Sequence, residues 1–211
     1  MVLMLIAACS REAASVDPVP PPTPGASSSQ PVAVAGAEWT LVAPDSRVSF
    51  VSIKNNAIAE AHTFSQLSGG VDAQGTAELR IALGSVSTGI EIRDQRLRDL
   101  LFDVARFPEA VVTLNVDPQQ VRNLGLGEHT VVKAGANLQL HGFTYPLPVE
   151  LRVTRTQQAK WLVTSERPVI VEAVNFGLIQ GVDELRKVAG LQAIASGVPV
   201  TFALTFATAA P

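Results

Sequence analysis

The sequence predicts an all-β domain, an antiparallel lipocalin-like β-barrel with one or two short helices, set behind a segment that does not fold. Three observations carry that expectation: short stretches in which apolar and polar residues alternate, turn residues between them, and a Pro- and Ser-rich run ahead of Glu38. Around residues 76 to 83, Ala77, Leu79, Ile81 and Leu83 face one way while Thr76, Glu78 and Arg80 face the other, the period of a half-buried strand. The same split recurs with Ala110, Val112, Leu114 and Val116, with Val132, Ala134, Ala136, Leu138 and Leu140, and with Leu147, Val149, Leu151 and Val153. It returns with Val198, Val200, Phe202, Leu204 and Phe206, and less regular strands are expected near 38–43, 47–54, 57–64 and 160–172. Turns are expected at Gly69-Gly70, from Asp72 to Gly75, from Asn123 to Gly127 and at Gly142.

Many short strands with one apolar face and no regular interposed helices call for a sandwich or a barrel. Small inward residues such as Ala77, Ala134 and Ala136 favour a hollow slot, because their side chains stop short of the barrel axis. Two stretches depart from the strand rhythm. Between Ile92 and Phe102, Leu97, Leu100 and Leu101 recur at helical spacing among Arg93, Asp94, Arg96, Arg98 and Asp99. Val182 to Leu191 is a second, shorter amphipathic candidate.

The chain divides into three parts. Residues 1–8 form an apolar run ending in two alanines, the pattern of a signal peptide's apolar region before its cleavage site, with the basic start missing as if truncated. The "IAAC" that follows resembles a bacterial lipobox, which makes Cys9 the expected lipidation site. The run falls short of the ~18 apolar residues of a membrane-spanning helix. Residues 9–36 are rich in Pro, Ala and Ser, too poor in burial to fold, and read as a semi-rigid tether to a domain at 37–207. Anchorage in a membrane through Cys9 implies the bacterial cell envelope, and Ser10 resembles an outer-membrane sorting choice, with the domain facing the periplasm.

A net charge of −3 leaves no cationic surplus to neutralise phosphates, so nucleic acid is not an expected partner. A single cysteine excludes an internal disulfide, and His62, His129 and His141 are scattered, so no metal or other cofactor is expected. Ser85 and Ser87 lack a nucleophile-elbow context, and no Ser, His and acid arrangement is recognisable, so no catalytic residue is assigned and the protein is not expected to be an enzyme.

The stretch "LGSVSTGIEIRDQRLRDLLFDVARFPEA" from Leu83 to Ala110 resembles the signature of the YceI-like family of lipid-binding, polyisoprenoid-binding proteins. The matching positions are Ser85 or Ser87, Thr88, Arg93, Asp94, Leu97, Phe102, Asp103, Phe107 and Pro108. "DSRVSF" at Asp45 to Phe50, "ANLQLHGFTYPLPVEL" at Ala136 to Leu151 and "VEAVNFGL" at Val171 to Leu178 resemble further family elements in the same order. Asp45 and Asn175 depart from the family's usual His and Asp. The resemblance implies a lipocalin-like barrel whose apolar interior takes up an isoprenoid chain, such as a polyisoprenoid or an isoprenoid quinone.

Ligand contacts are accordingly expected at Phe50, Phe64, Leu138, Phe143 and Phe176 in the barrel and at Leu97 in the helix. The phenylalanines divide between packing and lining in a way that alternation alone does not decide. Glu60 and His62 are either a polar pair near the barrel mouth or the groups that hold a ligand's polar head. Arg93 and Asp94 are either a solvated helix face or, as the resemblance implies, part of the cap on one end. Trp39 and Trp161 read as core plugs ahead of ligand platforms. The competing expectation is a solid barrel that binds another envelope protein through its outer surface, and a homodimer is compatible with either.

Overall fold

The computed structural model describes residues 36–208, so the expected signal segment, Cys9 and most of the tether lie outside the described residues. The strands are β1 (Ala37–Leu41), β2 (Arg47–Lys54), β3 (Ile58–Phe64), β4 (Leu67–Asp72), β5 (Thr76–Ala82) and β6 (Val86–Ser87). They continue as β7 (Glu109–Asn115), β8 (His129–Leu140), β9 (Phe143–Gln157), β10 (Lys160–Ser165), β11 (Val169–Glu172) and β12 (Gly197–Thr208). Three helices join them: α1 (Glu91–Arg96), which widens into a π turn over Leu97–Leu101, α2 (Gln119–Arg122) and α3 (Ile179–Val188).

Pairing closes these strands into an eight-stranded antiparallel barrel, β1-β4-β5-β7-β8-β9-β10-β12, with β12 returning to β1 through Trp39↔Thr208 and Leu41↔Phe206. Four of the short strands prolong neighbours across a bend: β2 continues β1, β3 leads into β4, β6 follows β5 and β11 follows β10. Strand β12 is long enough to serve both halves. Its second half pairs with β10 and β1, and its first half with β11 and β2, through Val200↔Val169 and Val200↔Phe50. Ring closure leaves no open edge in this wall to recruit another strand.

Alternation explains why the ring has an inside. Along β8, Val132, Ala136, Leu138 and Leu140 are buried while Val131, Lys133 and Gln139 are exposed. Opposite them on β9, Leu147, Val149, Leu151 and Val153 are buried in register, with Val132↔Leu151 and Ala136↔Leu147 paired directly. The connections alternate between two ends. The upper end holds the turn at 55–57, the segment 88–108 with α1, the His141-Gly142 turn and the segment 173–196 with α3; the lower end holds the turns at 73–75 and 158–159 and the segment 116–128 with α2.

One expected turn proves to be a strand. Gly69-Gly70 lies within β4, where Gly69 pairs with Leu79 and Gly70 with Glu78. A Cβ on Gly69 would stand 2.2 Å from the Glu78 carbonyl oxygen, so glycine is required there by close backbone approach and not by chain reversal. At 141–142 the turn is as expected: His141 and Gly142 have φ of 51° and 82°, the left-handed pair of a tight two-residue hairpin. Helix α3 begins at Ile179, three residues before the expected Val182 and two after Gly177, and it ends before Gly190, whose φ of 64° supplies a left-handed stop. Helix α2 is too short to show a helical period in the sequence.

Candidate ligand-binding site

The inward faces do not meet at the barrel axis. They leave a slot of ≈ 300 Å³ whose lining includes Val132, Ala136, Leu138 and Leu140 of β8. From Val132 to Leu140 is about 27 Å of strand at ~3.4 Å per residue, so the slot is long and narrow. Its walls are hydrocarbon and aromatic; the one charged lining residue, Glu78, has its carboxylate taken by the Arg80 Nε–H at 2.7 Å.

The lower end is floored by Trp39 and Trp161, packed edge to face with ring centroids 6.0 Å apart. Each indole is braced from outside. Arg122 lies over Trp39 at 5.3 Å and Arg155 over Trp161 at 5.6 Å, while the Trp161 indole N–H donates to the Val121 carbonyl at 3.3 Å. A buried Trp N–H needs such a partner, and α2 is where it comes from. The upper end is roofed by Leu101 and Phe102 after α1, with Leu178 and Val182 from the start of α3. The two helical segments fit closely there: a Cβ on Gly181 would stand 2.6 Å from the Leu100 carbonyl oxygen.

Chemistry changes along the inward face of the β2–β3 pair. Val48↔Phe64 and Phe50↔His62 are followed by Ser52↔Glu60, with Lys54 beyond, so lining gives way to hydrogen-bonding groups within four residues of strand. His62 is 4% exposed, its ring 5.1 Å from that of Phe50. Its Nε2 shares a 2.9 Å hydrogen bond with the Ser52 hydroxyl, and its Nδ1 is buried without a partner among the described residues. Burial, and next the nearby Arg93 guanidinium, hold its pKa below the ordinary value of 6.5. The imidazole is therefore neutral near pH 7.

Glu60 sits between two cations, 2.7 Å from the Lys54 ammonium and 2.6 Å from Arg93 Nη1. The hydrogen bond from Lys54, with the Arg93 charge behind it, keeps its carboxyl below the usual range. Arg93 also donates to the Thr88 hydroxyl at 2.8 Å and the Thr88 carbonyl at 2.7 Å. Asp94, buried, accepts from the Thr88 N–H at 2.8 Å and from the Thr88 hydroxyl. This network pins the entry of α1 to the upper rim.

Of the expected ligand contacts, Phe50, Phe64 and Leu138 line the slot. Glu60, His62, Arg93 and Asp94 lie together beyond Phe50 and Phe64 on the way to the upper end, and none of the four is among the lining residues. Leu97 is buried in the core, and Phe176 is fully buried with Tyr145 edge-on at 6.2 Å; neither is among the lining residues. Phe143 is 52% exposed and rests against Gly177 outside the lining. Sequence reasoning passed over the roof residues Leu101, Phe102, Leu178 and Val182 as ligand contacts, and favoured packing over ligand contact for the tryptophans, both of which line the slot. The helical spacing of Leu97, Leu100 and Leu101 was the available signal for the roof.

Fold and slot together define a lipocalin-like barrel with an apolar interior slot. Residues 39–206 match the model of the YceI-like domain, and the chain belongs to that family. A solved polyisoprenoid-binding domain from Saccharophagus degradans, implicated in plant cell wall breakdown, is 37% identical over 82% of this chain and 99% of that one, with a TM-score of 0.80. Burkholderia cenocepacia BcnA shares the fold at 19% identity over 78% of this chain and 98% of that one, with a TM-score of 0.60. A variant of the Campylobacter jejuni YCEI protein does so at 13% identity over 71% and 85%, with a TM-score of 0.51. No curated protein sequence matches the chain.

Proposed function

We infer that this protein binds or carries an apolar lipid of isoprenoid type, such as a polyisoprenoid or an isoprenoid quinone, inside its barrel, and catalyses nothing. The observation that carries this reading is the long hydrocarbon-lined slot of ≈ 300 Å³. Each Å² of tail removed from water gains ~25 cal/mol before the costs of association, so the tail supplies most of the affinity and the lining needs no charge. The polyisoprenoid-binding description of the Saccharophagus degradans domain, at 37% identity, points the same way. Glu60 and His62, with Arg93 and Asp94 behind them, face the ligand's polar end. A solid barrel working only through its outer surface would have side chains meeting at the axis, and the slot counts against it.

The cellular setting belongs to the same reading: a mature chain anchored by lipidated Cys9, with residues 9–36 as tether, in the bacterial outer membrane and facing the periplasm. Mass spectrometry of an organic extract, after purification without detergent, tests the ligand. Recovery of an isoprenoid-type lipid near one per chain is expected, and repeated recovery of empty protein overturns the reading. Cys9→Ala tests the anchor, with release from the membrane fraction expected and unchanged membrane association contradicting it.

A further inference from the structure

Exposed apolar side chains are unevenly placed on this barrel. Of the eleven large hydrophobic residues exposed among the described residues, nine lie at the upper end, among them Ile58, Ile90, Ile92, Phe143, Ile179 and Val188. The other two, Leu126 and Val131, lie toward the lower end. The upper nine come from four separate connections: the β2–β3 turn, the entry to α1, the β8–β9 hairpin, and the chain from β11 through α3. All four connections lie at the end that the roof of the slot closes.

That distribution selects among partners. A protein partner buries a contiguous apolar centre inside a polar rim. Apolar side chains carried on four separate connections suit a lipid surface, where each enters the headgroup and acyl boundary on its own. Charge narrows the lipid further. Lys54 and Arg93 are paired with Glu60, Arg98 with Glu91, Arg106 with Asp103 and Arg186 with Asp183. Arg96 of α1 and Lys187 of α3 are in no ion pair among the described residues, and two such cations on separate helices fall short of the polybasic cluster that reads anionic lipid.

We propose that the upper end docks on a lipid surface of zwitterionic headgroups, with Ile90, Ile92 and Ile179 entering it, so that the slot's roof faces the bilayer. An apolar cargo then passes between membrane and slot without crossing water. The purpose of docking rests on the proposed function, whereas the docking itself rests on the exposed apolar side chains. The experiment keeps the two apart: vesicle binding is scored with lipid-only vesicles, and slot occupancy is scored separately by solvent extraction. Docking with a slot that is always empty would sink the carrier reading alone, and a filled slot without docking would sink this proposal alone.

The test is flotation of the full chain, carrying Cys9→Ser throughout so that no acyl chain contributes, with phosphatidylcholine vesicles. The double variant Ile90→Ser/Ile179→Ser is expected to lose roughly tenfold or more in partitioning, and Leu126→Ser at the lower end to lose none. About 1 M salt, which cuts screening to a few ångströms, is expected to leave binding within about twofold. In a second readout, a tryptophan placed by Ile179→Trp is quenched by brominated lipid and one placed by Leu126→Trp is not. Equal behaviour of upper-end and lower-end variants overturns the proposal. So does binding that requires phosphatidylglycerol and fails in salt, or an upper-end dimer without vesicle binding that Ile90→Ser/Ile179→Ser dissolves.

Discussion

At the lower end, two indoles close the barrel by packing, with Arg122 and Arg155 laid over their outer faces and α2 accepting the Trp161 N–H. At the upper end, closure is shared between apolar roof residues on two helical segments and a hydrogen-bonded network through Glu60, His62, Thr88, Arg93 and Asp94. The difference teaches where specificity resides. In the proposed reading, the floor of packed rings stops the tail, and the polar network beside the roof is where a group at the ligand's other end would be answered.

The largest expected effect is at the floor. Trp161→Ala removes a buried ring from both the floor and the core, and destabilisation of about 3–5 kcal/mol is expected. Denaturant unfolding measures it, and a loss under about 1 kcal/mol would show that the indole pair does not close that end. Asp94→Ala should cost less, about 1–3 kcal/mol, because it strips the Thr88 N–H and hydroxyl of their shared acceptor at a buried site. The cost should fall on the upper end alone, read as faster amide exchange in residues 88–101 with β8 and β9 protected as before. Uniform loosening of the whole barrel would mean that the two ends are not independent.

The smallest effect is the dependence on pH set by His62. Its folded-state pKa lies below 6.5, so the neutral ring is the form the fold favours. Above pH 6.5 the ring is neutral whether the chain is folded or not, and its contribution is fully present. As pH falls below 6.5 the unfolded chain takes up the proton first, and stability declines until the folded-state pKa is passed. Comparison with His62→Asn isolates this slope from that of Glu60, whose depressed pKa acts only below its ordinary 4.5. Parallel stability curves for the two proteins between pH 7 and 5 would remove His62 from the account.

Much of the wall was legible because alternation reports directly which side chains share a face. The ranges expected for β2, β3, β5 and β7 fall within one residue of those observed, and that for β12 within two. Gly69-Gly70 was misread because glycine marks both chain reversal and close strand approach, and only the partner strand distinguishes them. Face does not report depth either. Phe143 has the same parity as Leu147 and Val149, yet it lies at the hairpin end of β9 and is half exposed, while Phe50 and Phe64 reach the slot. The roof was illegible for a different reason: Leu101 and Val182 meet the slot through helix packing between segments some eighty residues apart, a relation that no local period encodes.

The central claim is that the barrel's interior holds the ligand, and native mass spectrometry of a slot-filling variant tests it most directly. Ala136 is 2% exposed and lines the slot midway along β8, so Ala136→Phe places a ring where the tail would lie. The native chain is expected to carry a lipid adduct, and Ala136→Phe, folded by circular dichroism, is expected to carry none. The same adduct on both proteins would place the ligand elsewhere and contradict the account.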